Sequence, residues 1–97
     1  MEHVRVATYA ITKGDFSDIV RLAGEPGAIG DIFKSSTGFA RYSIADMGDS
    51  KFASISFWDS KEAAQAAAET AKSWVRDNLA DRVSLEMGAV GDVGYTA

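Results

Sequence analysis

Cysteine is absent from this chain, which removes disulfides, thiol nucleophiles and cysteine-ligated metals together. Histidine occurs once, at His3, and a metal site needs several ligands at defined spacing. Basic charge is scarce: 10 Lys and Arg stand against 14 Asp and Glu, for a net charge of -4. The basic footprint of a nucleic-acid binder is therefore missing, and no polybasic cluster points to anionic lipid. No apolar run approaches the roughly 18 residues that span a bilayer. Met1 to Ala10 lacks the basic and then apolar succession of a signal peptide. These absences lead to the expectation of a cytoplasmic protein that partners with neither nucleic acid nor membrane. Proline is used once, at Pro26, and repeats and low-complexity tracts are lacking.

What remains is globular. Of 97 residues, 46% are hydrophobic and 25% charged, close to average usage. The length fits a single domain over residues 1-97, with a thin core that buries roughly 60–65% of the unfolded surface.

Along the chain, strand-like and helix-like segments alternate. Val4 to Ile11 reads as a strand with Val4, Val6, Thr8 and Ala10 on one face and Arg5, Ala7, Tyr9 and Ile11 on the other. Both faces carry apolar groups, so both are expected to be covered. Asp15 or Gly14 can cap a helix from Phe16, where Phe16, Ile19, Val20 and Ala23 follow helical spacing. Gly24-Glu25-Pro26-Gly27 kinks or splits that helix, and Ile29, Ile32 and Phe33 resume it. Phe39 to Asp46 and Lys51 to Trp58 form a hairpin around Met47-Gly48-Asp49-Ser50. Symmetric pairing about Gly48-Asp49 sets Ile44 opposite Ala53 and Tyr42 opposite Ile55. It gathers Tyr42, Ile44, Ile55 and Phe57 on one face and Arg41, Ser43, Ser54 and Ser56 on the other. Asp59-Ser60-Lys61-Glu62 reads as a capping box with Asp59 at the N-cap. The helix after it runs to about Leu79, with an inner stripe of Ala63, Ala67, Ala71, Trp74, Val75 and Leu79 or Asn78. Val83 to Met87 and Val90 to Tyr95 read as strand interrupted at Gly88 and Gly91. The order is β-α-β-β-α-β, the ferredoxin-like pattern: an α+β domain with an antiparallel sheet and helices on one face.

Several of these segments resemble a known family. They are Lys13-Gly14 after the first strand, Thr37-Gly38-Phe39 opening the hairpin, the Ile55-Ser56-Phe57-Trp58-Asp59-Ser60-Lys61-Glu62-Ala63-Ala64 junction, and the helix end Trp74-Val75-Arg76-Asp77-Asn78-Leu79. Over nearly its whole length the chain resembles the antibiotic biosynthesis monooxygenase-like domain of the dimeric α+β barrel superfamily. The resemblance implies a homodimer joined sheet to sheet, of the obligate class that buries roughly 2,000 Å² or more. It implies a small-molecule-binding protein that is a cofactor-independent monooxygenase, with no cofactor, acting on an aromatic or polyketide-like substrate. The alternative is a non-catalytic binding or accessory dimer of the same fold. The haem-degrading branch requires a strand-one Asn, a Trp on the second helix and a later His. Here those places hold Val6 and Thr8, Ala66 and Arg76, so haem degradation is not expected. The Asn, Trp and Arg set of the polyketide oxygenases cannot be completed either, because no Asn precedes Asn78.

The ligand-binding candidates are Arg41, Tyr42, Phe57, Trp58, Ala67 and Trp74, and no catalytic residue is assigned. Arg41, read among Ser43, Ser54 and Ser56, either pairs with an acidic residue across a dimer or holds a ligand carboxylate or enolate. Trp58 and Trp74 either stack on a planar small hydrophobic or aromatic ligand or fill the core. Ala63, Ala66, Ala67 and Ala71 either leave room for that ligand between the two helices or let the helix pack closely on the sheet. His3 has no carboxylate or nucleophile in view as a partner, and the three serines lack a histidine that could complete a triad. Gly24 to Gly30 matches no phosphate-binding loop.

Overall fold

In the computed structural model, which describes residues 1–97, strand β1 (His3–Ile11) runs through the centre of the sheet. Arg5, Ala7 and Tyr9 are buried, whereas Val4, Val6, Thr8 and Ala10 are half-buried, as strand alternation requires. Helix α1 (Phe16–Ala23) is capped by Asp15, whose side chain accepts from the Asp18 backbone while Asp18 reaches back to the Asp15 N–H. That reciprocal pair satisfies two helix-end donors. The Gly24–Gly27 break splits the helix completely, and a separate short helix α2 (Ile29–Lys34) follows.

Strands β2 (Phe39–Gly48) and β3 (Lys51–Trp58), helix α3 (Lys61–Asn78) and strand β4 (Val83–Asp92) complete the chain. The sheet has the order β2-β3-β1-β4 with every pairing antiparallel. The result is the ferredoxin-like α+β architecture, with the first helix in two pieces. Ile19, Ala23, Ile29, Phe33, Ala64 and Ala71 are buried on the side where Arg5, Tyr9, Phe52 and Trp58 point. The opposite sheet face carries Val4, Val6, Thr8, Ile55 and Phe57, with no helix over it.

The hairpin register differs from the symmetric pairing. Gly48 pairs with Lys51, so the turn centres on Asp49 and Ser50, both at positive φ (52° and 58°). Two left-handed residues give the turn whose twist matches the flanking strands. Register shifts then fall between Asp46 and Gly48 and between Phe39 and Arg41. The pairing moves by one residue: Tyr42 opposes Ser56, Ile44 opposes Ser54 and Arg41 opposes Phe57. A one-residue slip exchanges face partners. Tyr42 and Ile44 therefore share the helix-covered face with Ser54 and Ser56, while Arg41 and Ser43 share the open face with Ile55 and Phe57.

Two boundaries also move. Ser60, not Asp59, caps α3, accepting from the Ala63 N–H at 3.1 Å. Asp59 is engaged elsewhere, its own N–H donating to the Gly38 carbonyl at 2.9 Å. Strand β4 is continuous through Gly88 and Gly91 and ends at Asp92, short of Tyr95. Its irregularity lies at Glu86, the residue left over where Thr8 pairs with Met87 and Tyr9 with Leu85.

Candidate active site

The helix-covered face of the sheet carries a buried cation. Arg5 is 2% exposed. Its Nε donates to Ser56 Oγ at 2.9 Å and its Nη2 to Ser54 Oγ at 2.6 Å. The guanidinium lies over the Phe33 ring, 5.3 Å from its centroid. Ser56 Oγ also accepts from the Trp58 indole N–H at 2.8 Å, and Ser54 Oγ donates to Tyr42 Oη across a long 3.4 Å. The strand register makes this network: Arg5 opposes Ser56 directly and Ser54 sits one pleat away, opposite Ala7. No carboxylate pairs with Arg5. Burial lowers its pKa, and the neighbouring Tyr42 and Tyr9 oppose that shift. Burial likewise raises the pKa of Tyr42, against the hydrogen bond from Ser54 and the nearby Arg5 charge, and raises that of Tyr9. Both phenols therefore stay protonated at neutral pH.

Tyr42 and Ser54 also line an inner cavity between sheet and helices, walled further by Tyr9, Phe52, Ala71 and Trp74. Its volume is about 20 Å³, room for one water-sized group. Trp74 lines this cavity and also an outer hollow of about 200 Å³, bounded by Leu22, Pro26, Gly27, Ala28 and Asn78. The indole thus stands between the interior and the broken segment of the first helix. A larger groove, about 530 Å³, runs between the Ser35–Thr37 loop and the alanine-rich half of α3.

The six candidate residues fall in three places. Tyr42 and Trp74 meet at the inner cavity. Trp58 and Ala67 border the groove, although both are also core residues, 1% and 4% exposed. Arg41 and Phe57 sit on the open sheet face, the guanidinium 3.9 Å from the ring centroid and paired with Glu2 at 3.0 and 3.2 Å. Arg41 is therefore not the arginine that the serines hold; Ser54 and Ser56 hold Arg5. The sequence did signal Arg5, as a charge on a strand face otherwise made of Ala7, Tyr9 and Ile11. It took the pairing of β1 with β3 to bring the serines to it. His3 does have a carboxylate partner: its Nδ1 lies 2.8 Å from Asp92 Oδ1 across the β1–β4 pair.

Among the described residues no group of His, Asp and Glu is arranged to hold a metal ion. No helix is long and apolar enough to cross a membrane.

No family model and no curated protein sequence matches this chain. Solved structures do. SnoaB from Streptomyces nogalater, a cofactor-independent oxygenase, aligns with a TM-score of 0.75 at 16% identity, over 98% of this chain and 95% of that one. A provisionally named antibiotic biosynthesis monooxygenase from Nitrosomonas europaea aligns with a TM-score of 0.67 at 24% identity, over 99% and 94%. Another from Bacillus cereus aligns at 0.65 and 22%, over 100% and 95%. The chain has the ferredoxin-like α+β fold of antibiotic biosynthesis monooxygenase-like proteins. The resemblance drawn from the sequence holds at the level of the fold.

Proposed function

We propose that this protein is a homodimeric small-molecule-binding protein that acts as a cofactor-independent monooxygenase on an aromatic or polyketide-like substrate. The observation that carries this reading is the cavity in the helix–sheet layer. It has aromatic walls and a polar corner at Tyr42 and Ser54, and Trp74 lines both it and the outer hollow. Apolar walls with a few converging polar groups are the usual composition of a small-molecule site. The fold shared with SnoaB supports the same reading. Chemistry of this type asks little of the protein. The substrate loses a proton, and its carbanion passes electrons to dioxygen. The site supplies orientation, a dry pocket and a partner for the developing negative oxygen. Rotation of the Trp74 indole joins the cavity to the hollow and admits a ring. Dimerisation through the open sheet face closes the side that the helices leave bare.

Anthrone provides the test, because its oxidation by dioxygen to anthraquinone and water needs no external electron donor. The expected result is saturable, protein-dependent oxygen uptake in buffer free of flavin and metal, with a faster rate in Trp74→Ala. Binding of anthrone by native mass spectrometry without oxygen uptake favours the non-catalytic binding dimer. That alternative has its own support in the structure, since Ala64, Ala67 and Ala71 are buried against the sheet and the resting cavity is small. If anthrone neither binds nor drives oxygen uptake, the small-molecule reading falls.

A further inference from the structure

We infer that Tyr42 Oη is the tip of an oxyanion site, polarised from behind by Arg5 through Ser54, so that the bound ligand carries a negative oxygen of the enolate or phenolate kind. This rests on the small-molecule reading above and adds to it the charge state of what is bound.

The argument starts from the donors. A guanidinium has five N–H groups and cannot lose its charge in a protein. Arg5 spends two of them, on Ser56 and Ser54, and nothing anionic meets the rest. The ion pairs of the molecule are all made by other residues. No fully enclosed side-chain nitrogen or oxygen lacks a hydrogen-bond partner. Nη1 of Arg5 has no protein acceptor and so borders accessible space. A buried charge without a counter-ion is costly, and an anion nearby relieves that cost.

The order of these groups, from Arg5 through Ser54 to Tyr42, points to where the anion belongs. Ser54 Oγ accepts from Arg5 at 2.6 Å, which leaves its own proton free to turn toward Tyr42 Oη, 3.4 Å away. Tyr42 Oη accepts that proton, and its own has no protein acceptor. Tyr42 and Ser54 are also the residues of this network that line the inner cavity. A cation at the back, a serine between and a free phenol proton at the front form a chain of donors pointing one way. Ile19, Ala23 and Ile29 on the cavity wall are apolar, and a low dielectric strengthens such an interaction. The cavity volume, about 20 Å³, accepts one oxygen, with the rest of the ligand lying toward Trp74. Tyr42 is the group that touches the ligand; Arg5 and Ser54 position and polarise it. Burial keeps Tyr42 protonated, so it donates to the incoming oxyanion and does not compete with it.

The test uses 4-nitrophenol, whose phenolate is coloured, with nitrobenzene as the uncharged comparison. Bound phenolate is expected to be favoured over bound phenol about tenfold, which lowers the apparent pKa of the bound probe by about one unit. Tyr42→Phe keeps the edge contact with Phe33, whose ring centroid is 4.9 Å away, and should abolish the shift without weakening nitrobenzene. Ser54→Ala cuts the link to Arg5 and should reduce the shift. Circular dichroism checks that each variant folds, and if one does not, the other still reads the effect. If nitrobenzene binds but native protein gives no shift, or if the shift survives in Tyr42→Phe, the oxyanion site is refuted while the pocket stands. If neither probe binds, both readings fall.

Discussion

Asp15 begins α1 with a carboxylate that accepts from Ser17 Oγ at 2.6 Å and from the Asp18 N–H at 3.1 Å. The Ser17 hydroxyl is the largest cause of its lowered pKa, followed by the Asp18 amide. A carboxylate whose folded pKa lies below its unfolded value stabilises the fold above the unfolded value, here near 3.8. That contribution is lost as pH falls through the folded value. Asp15→Asn keeps a good N-cap but removes the titration. Thermal unfolding followed from neutral to acid pH should show a shallower acid limb in the variant, and identical limbs would refute the assignment. This cap was legible in sequence, with Gly14 as the alternative, because a cap is local, whereas the cap of α3 fell one residue later than the sequence suggested, at Ser60. Arg5 shows the opposite case. A polar cluster around an arginine was legible, but which arginine depended on two strand pairings. The hairpin turn centred on Asp49 and Ser50 sends Arg41 to the open face, and the pairing of β1 with β3 sets Arg5 opposite Ser56. His3 gained Asp92 from 89 residues away, and no spacing rule reaches that far.

Among the elements, α3 is the most informative. Ala64, Ala67 and Ala71 are 0%, 4% and 5% exposed, so the helix approaches the sheet with almost no side-chain volume between. The alanine stripe was visible in the sequence, apart from Ala64. Whether it framed a pocket or a close contact was not visible, since periodicity gives the buried face but not the distance to what covers it. Both outcomes occur along one helix: close packing at Ala64 and Ala67, and a small cavity at Ala71. Ala64→Leu puts volume where none is free and should cost about 1–3 kcal/mol, measured by urea unfolding. A loss well below that would mean that α3 can slide outward to make room. The split of the first helix followed directly from Pro26 and its glycines. The continuity of β4 did not, because Gly88 and Gly91 read as breaks until pairing with β1 held them in line.

At the scale of the molecule, helices cover one sheet face and leave Val4, Val6, Ile55 and Phe57 half-buried on the other. Apolar groups concentrated on one uncovered face usually mark an interface. Arg41 and Glu2 pair at its rim over Phe57, which places charge at the edge and leaves the centre apolar. Sedimentation at micromolar concentration should therefore give a dimer. Val6→Asp, at the middle of the face, should give a monomer with the same circular dichroism. A stable native monomer would refute this mode of assembly.

The pairing of β1 with β4 has one more consequence. His3 lies opposite Asp92, and the Val93 N–H donates to the Glu2 carbonyl at 2.9 Å, so the two ends of the domain are neighbours. A chain whose ends meet is topologically a ring with one link left open, and the sheet order does not depend on where that link falls. Joining residues near 1 and 97 through a short linker and cutting between Asp49 and Ser50 gives a circular permutant with the same three strand pairings in the sheet. The cut also falls at the one place where two non-glycine residues are held left-handed, so the rearranged chain begins and ends where the original backbone is most strained.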